Sequence, residues 1–386
     1  MKHRINFLTS HFLPENTAGT NRVLSFVKVL ERSYFVQLFA LTERGKPQSK
    51  DKVEFTENID VYYINQKEYN AEKFFARALW EIIYSFKLVR KAARMDHRLS
   101  IATAPYMFII PILAMIGKEK KVIDIRDLVW EYIDEDSKFK KLIKLTIRKL
   151  MEASISQYDY VVVTNRYEEE WIKTHTKQKS IERISNGIEL NKFEELSHIE
   201  IDPDVPFTVT YVGNIGIAQN IKILIEVAKE LKDVRFQIIG GGNKYEELVE
   251  YTKANHLSNV KFFGKLHRDE ILSFYKQSSV LYAQLDEKFK SAMPSKLYEY
   301  ASTGLPIIYG GIGEAKEFVD RLENCITVPP NDIEALKKAI LEYKDGDREI
   351  KISEKNREII KKQFIRDYQS KKIVDIADRL IQKEEK

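Results

Sequence analysis

Phe207-Thr-Val-Thr-Tyr-Val-Gly-Asn-Ile-Gly216 is the stretch on which the reading of this chain turns. Its first six residues, Phe207 to Val212, are mostly β-branched or aromatic and predict a strand. Gly213 and Gly216 then mark a tight turn, and a helix is expected over roughly Asn220 to Leu231. Beyond it the pattern repeats. Val234 to Ile239 reads as a strand running into Gly240-Gly-Gly242, Lys244 to Asn255 as a helix, and Val260 to Phe263 as a strand. Asp269 to Gln277 reads as a helix and Val280 to Ala283 as a strand. Strand and helix alternating at this spacing predict βαβ units and a parallel sheet.

The same rhythm runs through the first half. Arg4 to Thr9, Phe35 to Thr42, Leu99 to Thr103, Lys121 to Asp124 and Tyr160 to Thr164 are strand candidates, with a helix at Asn21 to Glu31. Ser197 to Pro206 interrupts the rhythm as a linker. The fold class expected is α/β, two tandem Rossmann-like, doubly wound domains. The expected bounds are residues 1–198 for the first and 199–365 for the second, with a C-terminal helix near 366–386 returning to the first. Glu354 to Gln382 reads as one helical run. Ligands of such sheets sit at the carboxyl ends of the strands, and with two facing domains the cleft between them is the default site.

Composition narrows the class. At 386 residues either half is large enough to bury its own core. A single cysteine, Cys325, forbids an intramolecular disulfide and fits a reducing cytoplasm. The longest apolar run, Tyr106 to Gly117, falls short of the roughly 20 residues that a spanning helix needs. The amino terminus does not read as a signal peptide. The net charge of +5 is modest but unevenly placed. Lys138, Lys140, Lys141, Lys144, Arg148 and Lys149 alternate with Phe139, Leu142, Leu145 and Leu150. A second basic-apolar segment, Lys73 to Met95, carries Phe74, Phe75, Trp80, Phe86 and Arg90. Basic amphipathic helices of this kind suit an anionic membrane surface, although an ordinary surface helix shows the same pattern. No stacking motif or helix-turn-helix points to nucleic acid.

Pro294-Ser-Lys-Leu-Tyr-Glu-Tyr-Ala-Ser-Thr-Gly-Leu-Pro306 reads as a short helix opened by Pro294 and stopped by Gly304 and Pro306. Lys296 falls in its first turn, where a cation opposes the helix macrodipole unless an anion shares the site. Glu299, three residues on, lies on the same face. The capping box would place its acid at position 298, which is Tyr298, so capping does not explain Glu299.

These pieces together resemble glycosyltransferase family 4, retaining enzymes of the two-domain GT-B fold, and the bacterial fucosamine-transferase-like branch of surface-polysaccharide assembly in particular. The residues carrying the likeness in the second half are Tyr211-Val-Gly-Asn-Ile-Gly-Ile-Ala-Gln-Asn220, Ile238-Ile-Gly-Gly-Gly-Asn243, Phe262-Phe-Gly264, Pro294-Ser-Lys-Leu-Tyr-Glu-Tyr300 and Gly304-Leu-Pro306. In the first half they are His11-Phe-Leu-Pro-Glu15 with Gly19 and Arg22, Asp124-Ile-Arg-Asp-Leu-Val-Trp-Glu131, and Ser185-Asn-Gly-Ile-Glu189.

The resemblance implies a donor site made of Gly19, Arg22, Gly213, Asn214, Gly216, Gln219, Gly240, Gly241, Gly242, Lys296, Leu297 and Glu299. Lys296 would meet the diphosphate and Glu299 the ribose. Arg126, Asp127, Trp130 and Glu131 would face the acceptor, while Arg126 with Asp127 also reads as a salt bridge and Trp130 as core. His11, Asp127 and Glu299 are the candidate catalytic groups. Expected partners are a nucleotide-sugar donor, most simply a UDP-sugar, a lipid-linked saccharide acceptor and the inner-leaflet membrane surface. The expected location is cytoplasmic and peripheral. No cofactor or metal is expected. Asp134-Glu-Asp136 and Asp202-Pro-Asp204 match the Asp-x-Asp metal pattern, but neither follows a strand. A nucleotide-sugar epimerase of the same fold, or a non-catalytic nucleotide-sugar-binding partner, uses many of the same residues.

Two departures stand out. The first glutamate of the family's E-x7-E pair falls on Ser291. The turn after Gly216 also offers Ala218, Gln219 and Asn220 where many relatives carry diphosphate-binding cations. Lys296 and Arg22 are left to supply that charge.

Overall fold

The computed structural model describes residues 2–15, 17–69 and 74–382. Lys73 and residues 383–386 of the expected segments lie outside it. The chain divides into two compact units. One runs to Asn186 and resumes at Arg366, and the other spans Gly187–Ile365.

The first unit is built on an eight-stranded sheet. Its strands are β1 (Arg4–Thr9), β2 (Phe35–Leu41), β3 (Lys52–Thr56), β4 (Ile59–Ile64), β5 (Leu99–Thr103), β6 (Lys120–Ile125), β7 (Tyr160–Val163) and β8 (Ile181–Arg183). Their order is β3-β4-β2-β1-β5-β6-β7-β8, and every pairing is parallel except β3 with β4. That hairpin is absent from the sequence reading. The central strands are apolar along most of their length because helices cover both faces of the sheet, while the edge strand β3 is largely exposed. Successive residues point to opposite faces, so Ile5 and Phe7 enter one core and Leu8 the other. The first of these cores is completed by Ile373, Ile376, Ala377, Leu380 and Ile381 of the helix Lys372–Gln382.

The second unit carries β9 (Thr208–Val212), β10 (Arg235–Ile239), β11 (Val260–Gly264), β12 (Val280–Gln284), β13 (Ile307–Gly310) and β14 (Ile326–Val328). All are parallel, in the order β11-β10-β9-β12-β13-β14. This is the 3-2-1-4-5-6 order of a dinucleotide-binding sheet. β9 is its centre, with β10 on one side and β12 on the other. Successive connections leave β9 in opposite directions, which makes a switch point at its carboxyl end. In the first unit β1, flanked by β2 and β5, has the same role.

Three boundaries differ from the sequence reading, each for a packing reason. The chain passes between units at Asn186–Gly187 and not at residue 198. Phe193, Leu196 and Ile199, on and just after the helix Leu190–Ser197, are buried in the core of the second unit. The run from Glu354 to Gln382 is three helices, Glu354–Gln363, Arg366–Gln369 and Lys372–Gln382. It breaks at Ile365, which pairs with Ile188 as a short parallel bridge. The helix expected from Asn21 begins at Ala18 because the Thr17 hydroxyl accepts the Thr20 amide and caps it.

Candidate functional site

In the second unit the switch point lies between the turn after β9 and the helix Ser295–Thr303 that follows β12. Tyr300 fixes that helix in place. Its hydroxyl accepts the Val212 amide at 2.8 Å and lies 3.2 Å from the carbonyls of Val212, at the end of β9, and of Tyr282, in the middle of β12. Gly304, at φ 76°, ends the helix as expected.

Lys296 is thereby held over the turn. Its Nζ donates to the Tyr211 hydroxyl at 2.6 Å and sits 3.8 Å from the ring centroid. Tyr211 in turn donates to the Asn214 carbonyl, pinning the turn to the lysine. Burial pushes the Tyr211 phenol well above its ordinary range, so the partner of Lys296 is neutral. Among the described residues no carboxylate pairs with Lys296. Desolvation pushes its ammonium down to about 7, opposed by the charge of Glu299. Gly213, at φ +145°, is required twice over. A side chain is strained in that conformation, and a Cβ there would stand 2.5 Å from Lys296 Nζ.

The other glycines have separate tasks. A Cβ on Gly240 would fall 1.8 Å from the Gly213 carbonyl oxygen, and one on Gly242 2.3 Å from that of Ile215. These two glycines let one turn pack backbone on backbone against the other. The Ile215 amide donates to Gly241 O at 2.9 Å and the Lys244 amide to Ile215 O at 3.0 Å. Gly216 leaves room for Asn214, whose Nδ2 donates to Gln219 Oε1 at 3.1 Å. Leu297 is fully buried in the core of the second unit.

Glu299 is paired. Lys192 on the helix Leu190–Ser197 places Nζ 2.6 Å from Glu299 Oε1. Lys192 and Tyr211 are site residues that sequence reasoning passed over, since neither occupies a position that periodicity marks. Lys265 is a third. Its side chain lies across Gly241, where a Cβ would be 3.0 Å from Lys265 Cε. Lys222 is turned to the Tyr251 ring, 4.8 Å from its centroid. Ser291 is buried.

The first unit has a pocket of about 320 Å³ at the carboxyl ends of β1, β5 and β6, lined by His11, Thr17, Gly19, Ala104, Pro105, Arg126, Asp127 and Val129. His11 Nδ1 is 2.7 Å from Glu15 Oε2, which leaves Nε2 for a ligand. Desolvation raises the Asp127 carboxyl to about 6, opposed by Arg126 and by a hydrogen bond with Tyr132. Arg126 is depressed by burial and by the neighbouring Arg22.

Three expected site residues are engaged elsewhere. Arg22 is 2% exposed and binds the fully buried Asp124 through Nη2 at 2.6 Å and Nε at 2.9 Å, with the Ile184 carbonyl accepting from Nη1 at 2.8 Å. It is a buried tie between the first helix and β6, not a free cation. Trp130 is 1% exposed and packs edge-on against Trp171 in the core. Glu131 accepts two hydrogen bonds of 2.7 Å from Arg148. The Arg126–Asp127 alternative is not realised as an ion pair either. Among the described residues no group of three or more His, Cys, Asp or Glu is placed to hold a metal.

Residues 192–364 match the family model for glycosyl transferases group 1. That stretch is nearly all of the second unit. An uncharacterized glycosyltransferase of Methanocaldococcus jannaschii is 22% identical over 98% of this chain and 99% of its own. A second one from the same organism is 24% identical over 50% of this chain, which spans only 52% of that relative. WcaI of Escherichia coli, a glycosyl transferase proposed for colanic acid biosynthesis, is 26% identical over 39% of this chain and 40% of its own. The GT-B fold is shared with solved structures along the whole length. Sucrose-phosphate synthase from Thermosynechococcus elongatus aligns at TM-score 0.73 and 16% identity, over 98% of this chain and 99% of that one. Anabaena HepE in complex with UDP and glucose aligns at 0.67 and 15%, over 97% and 99%. The lipopolysaccharide outer core galactosyltransferase WaaB aligns at 0.67 and 15%, over 98% and 100%.

Proposed function

We propose that this protein is a retaining glycosyltransferase that moves a sugar from a UDP-sugar to a lipid-linked saccharide in surface-polysaccharide assembly. The observation carrying the reading is Lys296. It is a half-buried ammonium at a helix amino terminus, over a glycine turn at the switch point, with a neutral phenol as its only hydrogen-bond partner among the described residues. A diphosphate supplies the missing counter-charge, and as the sugar leaves, the charge growing on that diphosphate falls on the lysine and the helix end. Glu299, kept in place by Lys192, is suited to the ribose hydroxyls. The relatives of surface-glycan pathways and the HepE structure with UDP support the choice of donor and acceptor classes.

The acceptor class has its own support in the first unit. The helix Lys138–Ile155 exposes Phe139, Leu142 and Leu145 at 64%, 61% and 47%. Lys138, Lys141 and Lys149, also exposed, form no ion pair among the described residues. The helix Ile109–Ile116 packs beside it and exposes Met115, and the helix Phe74–Ala92 beyond exposes Leu79, Ile82 and Phe86. No described helix is long and apolar enough to cross a membrane. A basic layer with outward apolar side chains suits peripheral binding to anionic lipid, where a lipid-linked acceptor resides. Replacing Phe139 or Leu142 by serine is expected to weaken sedimentation with vesicles containing anionic lipid by about tenfold or more each, since one buried large apolar side chain is worth roughly 1.5–3 kcal/mol. The melting temperature is expected to hold.

The decisive assay offers the purified protein a panel of UDP-sugars with a lipid-linked saccharide and follows product by mass. Transfer to the lipid supports the proposal. Turnover of donor alone indicates an epimerase, and UDP binding without turnover a non-catalytic partner. Neither binding nor transfer sinks the reading.

A further inference from the structure

We propose that Arg126 is a diphosphate-binding residue and that, with the first turn of the helix Ala18–Leu30, it makes the first-unit pocket an anion site. The sequence suggested Arg22 for such a charge, but Arg22 is closed off by Asp124. Arg126 is the cation left over. Among the described residues it has neither a hydrogen bond nor an ion pair, and its Nε is buried without a partner. A half-buried guanidinium with its Nε shielded from water is costly to leave without a hydrogen-bond partner, even with the charges of Asp124, Asp127 and Glu168 nearby.

Gly19 shows where that group points. A Cβ at this position would lie 2.6 Å from Arg126 Nη1. Gly19 is helical with ordinary backbone angles, so the glycine is needed for the space and not for its conformation. The missing side chain brings the guanidinium against the start of a 13-residue helix that has no acidic residue in its first turn. Helix starts leave amides unsatisfied, and a planar guanidinium beside them presents paired donors to phosphate oxygens. Gly19, Thr17 and Arg126 all line the pocket, whose volume of about 320 Å³ accommodates a diphosphate. The site stands on first-unit geometry alone. Only the origin of its diphosphate rests on the function proposed above: the donor nucleotide, or the lipid that carries the acceptor.

The test separates these points. Inorganic pyrophosphate is titrated calorimetrically into full-length Lys296→Ala protein, in which the second unit's cation is gone. Adding Arg126→Gln, or separately Gly19→Ala, is expected to weaken binding about tenfold or more. Gly19→Ala favours a helix and obstructs only the end of a flexible side chain, so its unfolding midpoint should not fall. It thereby guards against loss of fold in the Arg126 variant. With Lys296 intact, loss of UDP affinity in the two first-unit variants assigns the diphosphate to the donor. Loss of affinity for a short isoprenyl diphosphate assigns it to the acceptor lipid. Pyrophosphate binding that is absent, or insensitive to both substitutions, would overturn the proposal. Neither result depends on sugar transfer, so the assay of the preceding subsection fails or succeeds independently.

Discussion

Lys296→Ala lowers the affinity for UDP by roughly ten- to a hundredfold. A hydrogen bond to a charged group contributes about 1.5–3 kcal/mol, and each 1.4 kcal/mol is tenfold. The effect sits at this end of the scale because the turn after Gly216 brings no second cation to Lys296, Lys192 being paired with Glu299 and Lys265 lying across Gly241. Ala218, Gln219 and Asn220 carry no charge, and Lys222 is turned to Tyr251. The affinity also follows pH with a determined sign. In the free protein desolvation pushes the Lys296 ammonium down to about 7, so a bound diphosphate must find or recruit a proton there. UDP affinity is expected to be full below about pH 7 and to fall by up to about tenfold per unit above it, while below about 6 the terminal phosphate begins to lose charge. Stability of the free protein runs the other way. The unfolded chain binds the proton more tightly than the folded one between about 7 and the ordinary lysine value, so this group adds stability as pH rises through that window. Calorimetric titration of UDP from pH 6 to 9, with Lys296→Ala as the pH-insensitive control, checks the affinity, and urea denaturation of the two ligand-free proteins over the same range checks the stability. An unchanged affinity in the variant would remove the site from Lys296.

Arg22→Met destabilises the first unit by about 3–5 kcal/mol, the range for breaking one side of a buried ion pair. Asp124 is fully buried, and its carboxylate loses the Nε and Nη2 donors together. The Ile184 carbonyl and Asn186 side chain lose theirs as well. Chemical denaturation followed by circular dichroism reads the loss directly. The same variant separates two roles for Arg22. A structural tie lowers the denaturation midpoint and leaves the UDP affinity of the folded fraction unchanged. A donor-binding arginine does the reverse.

The structure of the second unit was legible because its signals are local. Val212-Gly213 and Ile239-Gly240 each join an apolar run to glycines, and strand ends announce themselves in that way. Pro294 and Gly304 bound a helix by backbone chemistry alone. The first unit hid more. The β3–β4 hairpin lies in a charged segment without clear alternation, and β3 is largely exposed at the sheet edge. Among candidate residues, Lys296, Glu299 and the glycine turns of the second unit do come together. Trp130 and Glu131 follow Asp127 closely in sequence, yet the 3-10 turn Val129–Tyr132 carries them into the core and onto Arg148.

The sequence by itself determined the class of fold, the two βαβ series, the glycine turns and a lysine that a helix start does not favour. Those are matters of residue type and spacing within a few turns of chain. Which cations are free was decided only in three dimensions. Arg22 and Arg126 are both arginines beside the same strand end, and nothing in their neighbours along the chain tells them apart. Asp124 lies 102 positions from Arg22 and claims it. Arg126 is left facing the space that Gly19 keeps open. Pairing of charges is a through-space property, and Lys192 with Glu299, 107 positions apart in the chain numbering, shows the same dependence on the folded arrangement.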